Sequence, residues 1–159
     1  MTTIVANLEC MAADRRVTNP GAYYPADKIF RIGHSLFGTS GDGFMSLVMI
    51  EWLKTVQRNR AALYRNWNEN TDKDAIWILE LNPSGLYLWN GWGVPEKILL
   101  PRYAVGSGQL AALKGIDKGE TPEEAVKGAM NYDESTGEEV QVEYLLPSEL
   151  LPSRKRKRR

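Results

Sequence analysis

Residues 1–18 read Met1-Thr2-Thr3-Ile4-Val5-Ala6-Asn7-Leu8-Glu9-Cys10-Met11-Ala12-Ala13-Asp14-Arg15-Arg16-Val17-Thr18, and this stretch decides the fold. A β-branched run starts directly after the initiator methionine. Thr2–Ala6 and Leu8–Ala13 therefore read as two short strands joined by a tight turn near Asn7, with Asp14-Arg15-Arg16 closing the second. Threonine in second place is small enough for a methionine-removing aminopeptidase, which predicts a mature chain beginning at Thr2. A threonine at a chain terminus carries a nucleophile and a base on one residue. Its hydroxyl attacks, and its α-amine, with an ordinary pKa of about 7.7–8.0, takes up the proton near neutral pH.

The next segments extend this start. The polar, proline-bearing stretch Thr18–Asp27 reads as a loop, Lys28–Ile32 as a strand, Gly33-His34-Ser35 as a turn and Leu36–Thr39 as a returning strand. Ser40-Gly41-Asp42-Gly43 breaks the pattern, and Phe44–Tyr64 gives the longest helical pattern in the chain. Its first turns are apolar over so wide an arc that packing on more than one side is expected. Asn66–Asp74 is a polar loop, and Ala75–Leu81 and Gly85–Asn90 flank an Asn82-Pro83-Ser84 turn. Trp89 and Trp92 read as core packing, the usual place of tryptophan in a sheet. A strand at Tyr103–Val105 leads into a helix over Gln109–Lys118. Thr121-Pro122-Glu123-Glu124 then starts another helix that runs to about Asn131, with a threonine cap, a proline at the first position and a glutamate reaching back. Glu139–Leu145 alternates as a last strand. Two runs of strands, each followed by helices, predict two sheets packed face to face with helices outside, an α+β layered sandwich.

The 159 residues suffice for one domain with its own core. The formal net charge of zero hides an asymmetry: Arg154–Arg159 are six consecutive basic residues, so the rest of the chain stands at −6. The single cysteine, Cys10, excludes an internal disulfide framework and points to a reducing compartment. With no secretory apolar segment and no apolar run near membrane-spanning length, a soluble, cytoplasmic chain without membrane contact is expected. The lone histidine, His34, falls at a turn and is given no catalytic role.

A terminal threonine needs a cation nearby to depress its pKa values, a carboxylate to fix that cation, and N–H donors where an oxyanion forms. Asp14, Lys28 and the glycine-rich Gly41–Gly43 loop can supply these. Here the sequence resembles a known family. Thr2-Thr3-Ile4-Val5, Ala12-Ala13-Asp14-x-Arg16-x-Thr18, Lys28-Ile29-Phe30-x-Ile32 and Gly38-Thr39-x-Gly41-x-Gly43 follow, in order, the pattern of proteasome β-type subunits and of the bacterial proteasome-like, ATPase-dependent protease. Ala104-Val105-Gly106-Ser107-Gly108 and Asp133-x-x-Thr136-Gly137 look like the family's later active-site segments, as in a phage or bacterial paralogue.

The resemblance implies a four-layer αββα sandwich of the N-terminal-nucleophile hydrolase type over residues 1–146. It leaves 147–159 as a proline-containing basic tail, read as disordered. It implies a threonine peptidase that cleaves unfolded protein or peptide through an acyl-enzyme. Thr2 would be nucleophile and base, Lys28 the cation and Asp14 its partner, with Ser107, Asp133 and Thr136 bonding around the terminal amine. Amides at Gly41–Asp42 would form the oxyanion hole. Ser40 would line the pocket for the residue before the scissile bond, and Thr18 would bind substrate backbone. The family further implies a homo-oligomeric ring, an AAA+ unfoldase ATPase as partner, and no metal or organic cofactor.

Two departures stand out. Counted without a gap from Lys28, Asp42 falls where many members have glycine, and its carboxylate would oppose an oxyanion unless turned away; a one-residue slip puts Gly41 there instead. The first hairpin is also shorter than usual. The basic tail has no counterpart; it reads as a solvated tether, or as an electrostatic contact to nucleic acid or an acidic partner. The alternative reading is a catalytically silent assembly or scaffold protein that binds through this tail. A small-molecule amidase of the same nucleophile class is the third.

Overall fold

The computed structural model describes residues 2–150. Eleven strands and four α-helices are defined among them. β1 (Thr3–Asn7) and β2 (Cys10–Asp14) pair antiparallel around a turn in which the Asn7 side chain accepts from the Glu9 and Cys10 amides at 2.8 and 2.9 Å. β10 (Arg102–Gly106) flanks β1 and β11 (Val140–Tyr144) flanks β2, giving a four-stranded sheet in the order β10-β1-β2-β11. The second sheet runs β5-β6-β7-β8-β9, with β5 at Ile29–Ile32, β6 at Ser35–Gly41, β7 at Ile76–Asn82, β8 at Gly85–Asn90 and β9 at Pro95–Ile98.

Burial follows the two-residue period of these strands. Ile4, Ala6, Met11 and Ala13 of the first sheet pack against Ile29, Leu36, Leu79, Leu81 and Leu86 of the second. The alternate residues Val5, Ala12 and Ala104 meet Ala112 and Ile116 of α3 (Gln109–Asp117) and Ala125, Val126 and Ala129 of α4 (Pro122–Ala129). On the far face of the second sheet, Phe37, Ile76, Ile78 and Trp89 meet Met49, Ile50, Trp52 and Leu53 of α1 (Gly43–Leu53) and Leu63 of α2 (Arg60–Tyr64). The α4 start carries the full capping box expected of Thr121 and Glu124.

Several elements differ from the sequence reading. The stretch read as a loop over Thr18–Asp27 holds most of an antiparallel ribbon, β3 (Arg16–Asn19) with β4 (Ala22–Pro25), and its tip turns at Asn19-Pro20-Gly21-Ala22. The single long helix is two. The Thr55 hydroxyl donates to Trp52 O at 2.6 Å, Arg58 takes a positive φ of 44°, and the Asn59 side chain caps α2. The chain thus turns back, and the Arg58 guanidinium lies over the Phe37 and Trp89 rings. Only one side of α1 is buried, and Phe44 and Leu47 are exposed. Trp89 is core, whereas Trp92 is exposed, edge-to-face with Tyr64 and with the Lys73 ammonium over its ring. β9 escaped the sequence reading because Pro95 and Glu96 are poor strand formers; the strand is an edge, where proline is tolerated.

The folded part also extends beyond residue 146. Pro147–Glu149 makes a 3₁₀ turn, and buried Glu149 accepts from the Leu146 amide at 2.7 Å, His34 Nδ1 at 3.0 Å and the Arg31 guanidinium. These bonds hold the Glu149 carboxyl below the usual range. Residues 151–159, with the basic run, lie outside the described residues, as does Met1. Among the described residues no helix is long and apolar enough to cross a membrane.

Cys10 is buried, and burial together with the Glu9 and Glu123 charges pushes its thiol up to about 11. It is therefore expected to resist iodoacetamide in the folded protein at pH 8 and to react on denaturation, read by intact mass. Because its folded pKa lies above its ordinary 9.0, its contribution to stability is present below pH 9 and is lost as pH rises through about 11.

Candidate functional site

The end of β1 brings the expected residues together. Thr2, Asp14 and Lys28 are 3%, 0% and 7% exposed. Asp14 closes β2 beside Thr2, and Lys28 stands just before β5 in the facing sheet, so the site bridges the two sheets at one end. The Thr2 hydroxyl donates to Asp14 Oδ1 at 2.7 Å and accepts from the Lys28 ammonium. Lys28 Nζ also donates to both Asp14 oxygens at 3.0 Å and to Arg16 O at 2.6 Å. Asp14 accepts in addition from the amides of Thr3 (2.8 Å), Arg16 (3.1 Å) and Gly137 (3.2 Å). The shortened first hairpin leaves the Asp14–Lys28 pair intact.

A buried ion pair of this kind stabilises only when its remaining hydrogen-bonding capacity is filled, and here it is. Burial lowers the Lys28 pKa, and the Arg16 charge adds to this; Asp14 and Asp133 pull the other way without overcoming it.

A second group surrounds the Thr2–Thr3 backbone. Thr136 Oγ1 donates to Asp133 Oδ2 at 2.6 Å, and Thr3 Oγ1 lies 2.6 Å from Thr136 Oγ1. Since the Thr136 hydrogen is spent on an ionised carboxylate, the Thr3 hydroxyl is the donor in the second bond. Ser107 Oγ sits between Thr2 O at 3.4 Å and the Asp133 carboxylate, which is the nearer. Burial alone would raise the Asp133 carboxyl, but the Ser107 and Thr136 hydroxyls and the Ser135 amide hold it below the ordinary range. Gly106, at φ 102°, makes room for this arrangement, because a Cβ there would fall 1.9 Å from Thr2 O.

Thr2 opens into a cavity of about 600 Å³, whose lining includes Thr18, Phe30, Ser40, Asp42, Phe44 and Leu47. Ser40 is buried, whereas Thr18 and Asp42 are exposed. The Asp42 carboxylate is turned onto the Met45 amide (2.9 Å), where it caps α1. Asp42 N donates to Ala75 O at 3.3 Å, because β6 stays paired as far as Gly41 opposite Ile76. Gly41, at φ 101°, passes so close to Ala75 O that a Cβ would stand 1.9 Å from it.

Sequence reasoning missed Thr3, which joins the two hydrogen-bonded groups, and Gln141, whose side chain binds the backbone of Lys28. A polar residue facing inward on an otherwise alternating strand was the available signal for Gln141.

No family model and no curated protein matches the sequence. The fold is nevertheless one seen in solved structures of BPH and HslV proteins. Thiobacillus denitrificans BPH aligns with a TM-score of 0.67 at 20% identity, over 92% of this chain and 98% of that one. The same protein in complex with epoxomicin gives 0.67 and 20%, over 92% and 99%. Eukaryotic HslV from Trypanosoma brucei gives 0.65 and 20%, over 89% and 98%. At this identity the likeness is one of fold.

Proposed function

We propose that the chain is a threonine-type endopeptidase on a four-layer αββα sandwich of the N-terminal-nucleophile type. The observation that carries this reading is the Thr2 hydroxyl held between the Lys28 ammonium and the Asp14 carboxylate, buried yet facing a cavity. In the proposal, removal of Met1 frees the Thr2 amine. The amine takes the hydroxyl proton as Oγ1 bonds to the substrate carbonyl carbon, and it returns a proton to the departing peptide nitrogen as the C–N bond breaks. Water then hydrolyses the ester. The Lys28 cation stabilises developing charge on Thr2 Oγ1. Ser107, Asp133 and Thr136 orient the terminal amine, while Ser40 and Thr18 contact substrate. The backbone amides at Gly41–Asp42, which line the same cavity, would be the oxyanion donors in this reading. A homo-oligomeric ring fed by an AAA+ unfoldase belongs to the same reading, as does unfolded protein as substrate.

One observation favours the silent scaffold instead: the Asp42 amide is engaged with Ala75 O. Intact mass before and after treatment with a peptide epoxyketone, which reacts with both the amine and the hydroxyl of a terminal threonine, separates the two. Loss of Met1 with one adduct at Thr2 is the expected result. Retained Met1 or an unmodified Thr2 would leave the scaffold reading in place.

A further inference from the structure

The Lys28 ammonium reaches Thr2 only if the backbone at the start of β5 is held in place, and β5 is an edge strand of its sheet. Beyond its partner β6, no strand among the described residues covers the outward N–H and C=O groups of that edge. A side chain from the opposite sheet does. Gln141 lies on β11 opposite Ala13, facing inward between the sheets, and is 7% exposed. Its Oε1 accepts from the amides of Lys28 at 2.9 Å and Ile29 at 3.0 Å, and its Nε2 donates to Ile29 O at 2.9 Å. One primary amide thus supplies the bonds a neighbouring strand would make. It ties the first sheet, which carries Thr2 and Asp14, to the residue that presents the cation.

We infer that Gln141 is a positioning residue for Lys28, clamping the backbone from which the ε-amine reaches Thr2 Oγ1 and Asp14. All three ammonium hydrogens are directed at short range onto Thr2, Asp14 and Arg16 O, so a small shift of this backbone breaks their joint geometry. Leucine at 141 would leave two amides and one carbonyl at the strand start without partners. Glutamate would keep the acceptor for both amides but set a carboxylate oxygen against Ile29 O where the donor stood. The consequence for turnover rests on the peptidase reading; the consequence for Lys28 does not.

The test uses the full chain as wild type, Gln141→Leu and Gln141→Glu. Two readouts are compared: peptide turnover against pH, and titration of the Lys28 ε-amine by lysine-selective NMR without inhibitor. In Gln141→Leu, kcat is expected to fall about 10- to 100-fold while KM changes little, the scale of effect of a misplacement of order 1 Å. The Lys28 titration is expected to move up toward the ordinary lysine value as water reaches the loosened strand start. Gln141→Glu is expected to recover part of the rate and serves as the folded comparison if the leucine variant does not fold. A purely structural role would lower the melting temperature and leave the pH profile and the Lys28 titration in place, which would overturn the inference. If wild type neither turns over peptide nor takes the epoxyketone, the peptidase reading fails. The Lys28 titration then decides alone, and an unmoved value in the variants rejects the clamp.

Discussion

Thr2→Ala is expected to abolish peptide hydrolysis while leaving circular dichroism and assembly unchanged. The substitution removes the atom proposed to attack and touches little else. Without Thr2 Oγ1, Asp14 keeps its bonds to the Thr3, Arg16 and Gly137 amides, and Lys28 keeps Asp14 and Arg16 O. The cost to folding is that of two buried hydrogen bonds to charged partners, about 1.5–3 kcal/mol each at most, since both partners keep other bonds. Thr2→Ser keeps a hydroxyl and is expected to retain reduced turnover. Liquid chromatography of an unstructured peptide incubated with each variant reads the result. Cleavage that survives in a pure Thr2→Ala sample would remove Thr2 from the role of nucleophile.

Asp14→Asn is expected to inactivate the protein and also to destabilise it by about 3–5 kcal/mol, the usual consequence of leaving one partner of a buried ion pair uncompensated. The carboxylate is fully buried and accepts from the Thr2 hydroxyl, three backbone amides and the Lys28 ammonium. An asparagine presents one oxygen to these donors and turns an NH₂ toward the rest, so both lost bonds and donor–donor conflict follow. Lys28→Met should also inactivate but destabilise less, because Asp14 retains its other donors. Urea unfolding of the three proteins ranks them. An Asp14→Asn midpoint equal to that of wild type would contradict the geometry.

The parts of this architecture that were legible in the sequence are those with a local cause. The β1–β2 hairpin announces itself through β-branched residues and an Asn7 turn, and α4 through its Thr121-Pro122 start. The approach of Asp14 to Lys28 was legible only through the ordered motifs, since no local rule joins residues in different sheets. The rest depended on tertiary contacts. The α1 helix ends at Leu53 because Thr55 and Asn59 satisfy backbone groups, and because Arg58 finds two aromatic faces across the core. No periodicity reports that. The β3–β4 ribbon was hidden by its proline and polar composition, and the Asp42 amide by how far β6 stays paired with β7.

The anchoring of Glu149 has a practical corollary. Leu150 borders a small pocket with Leu8 and the Asn82–Gly85 turn, at the opposite end of β1 from Thr2. A fluorophore, affinity handle or surface linker joined after Leu150 would therefore start a full strand's length from the Thr2 cavity. In the peptidase reading, anything joined ahead of Thr2 would occupy the amine proposed as base. Handles for purification or single-molecule work belong on the carboxyl side.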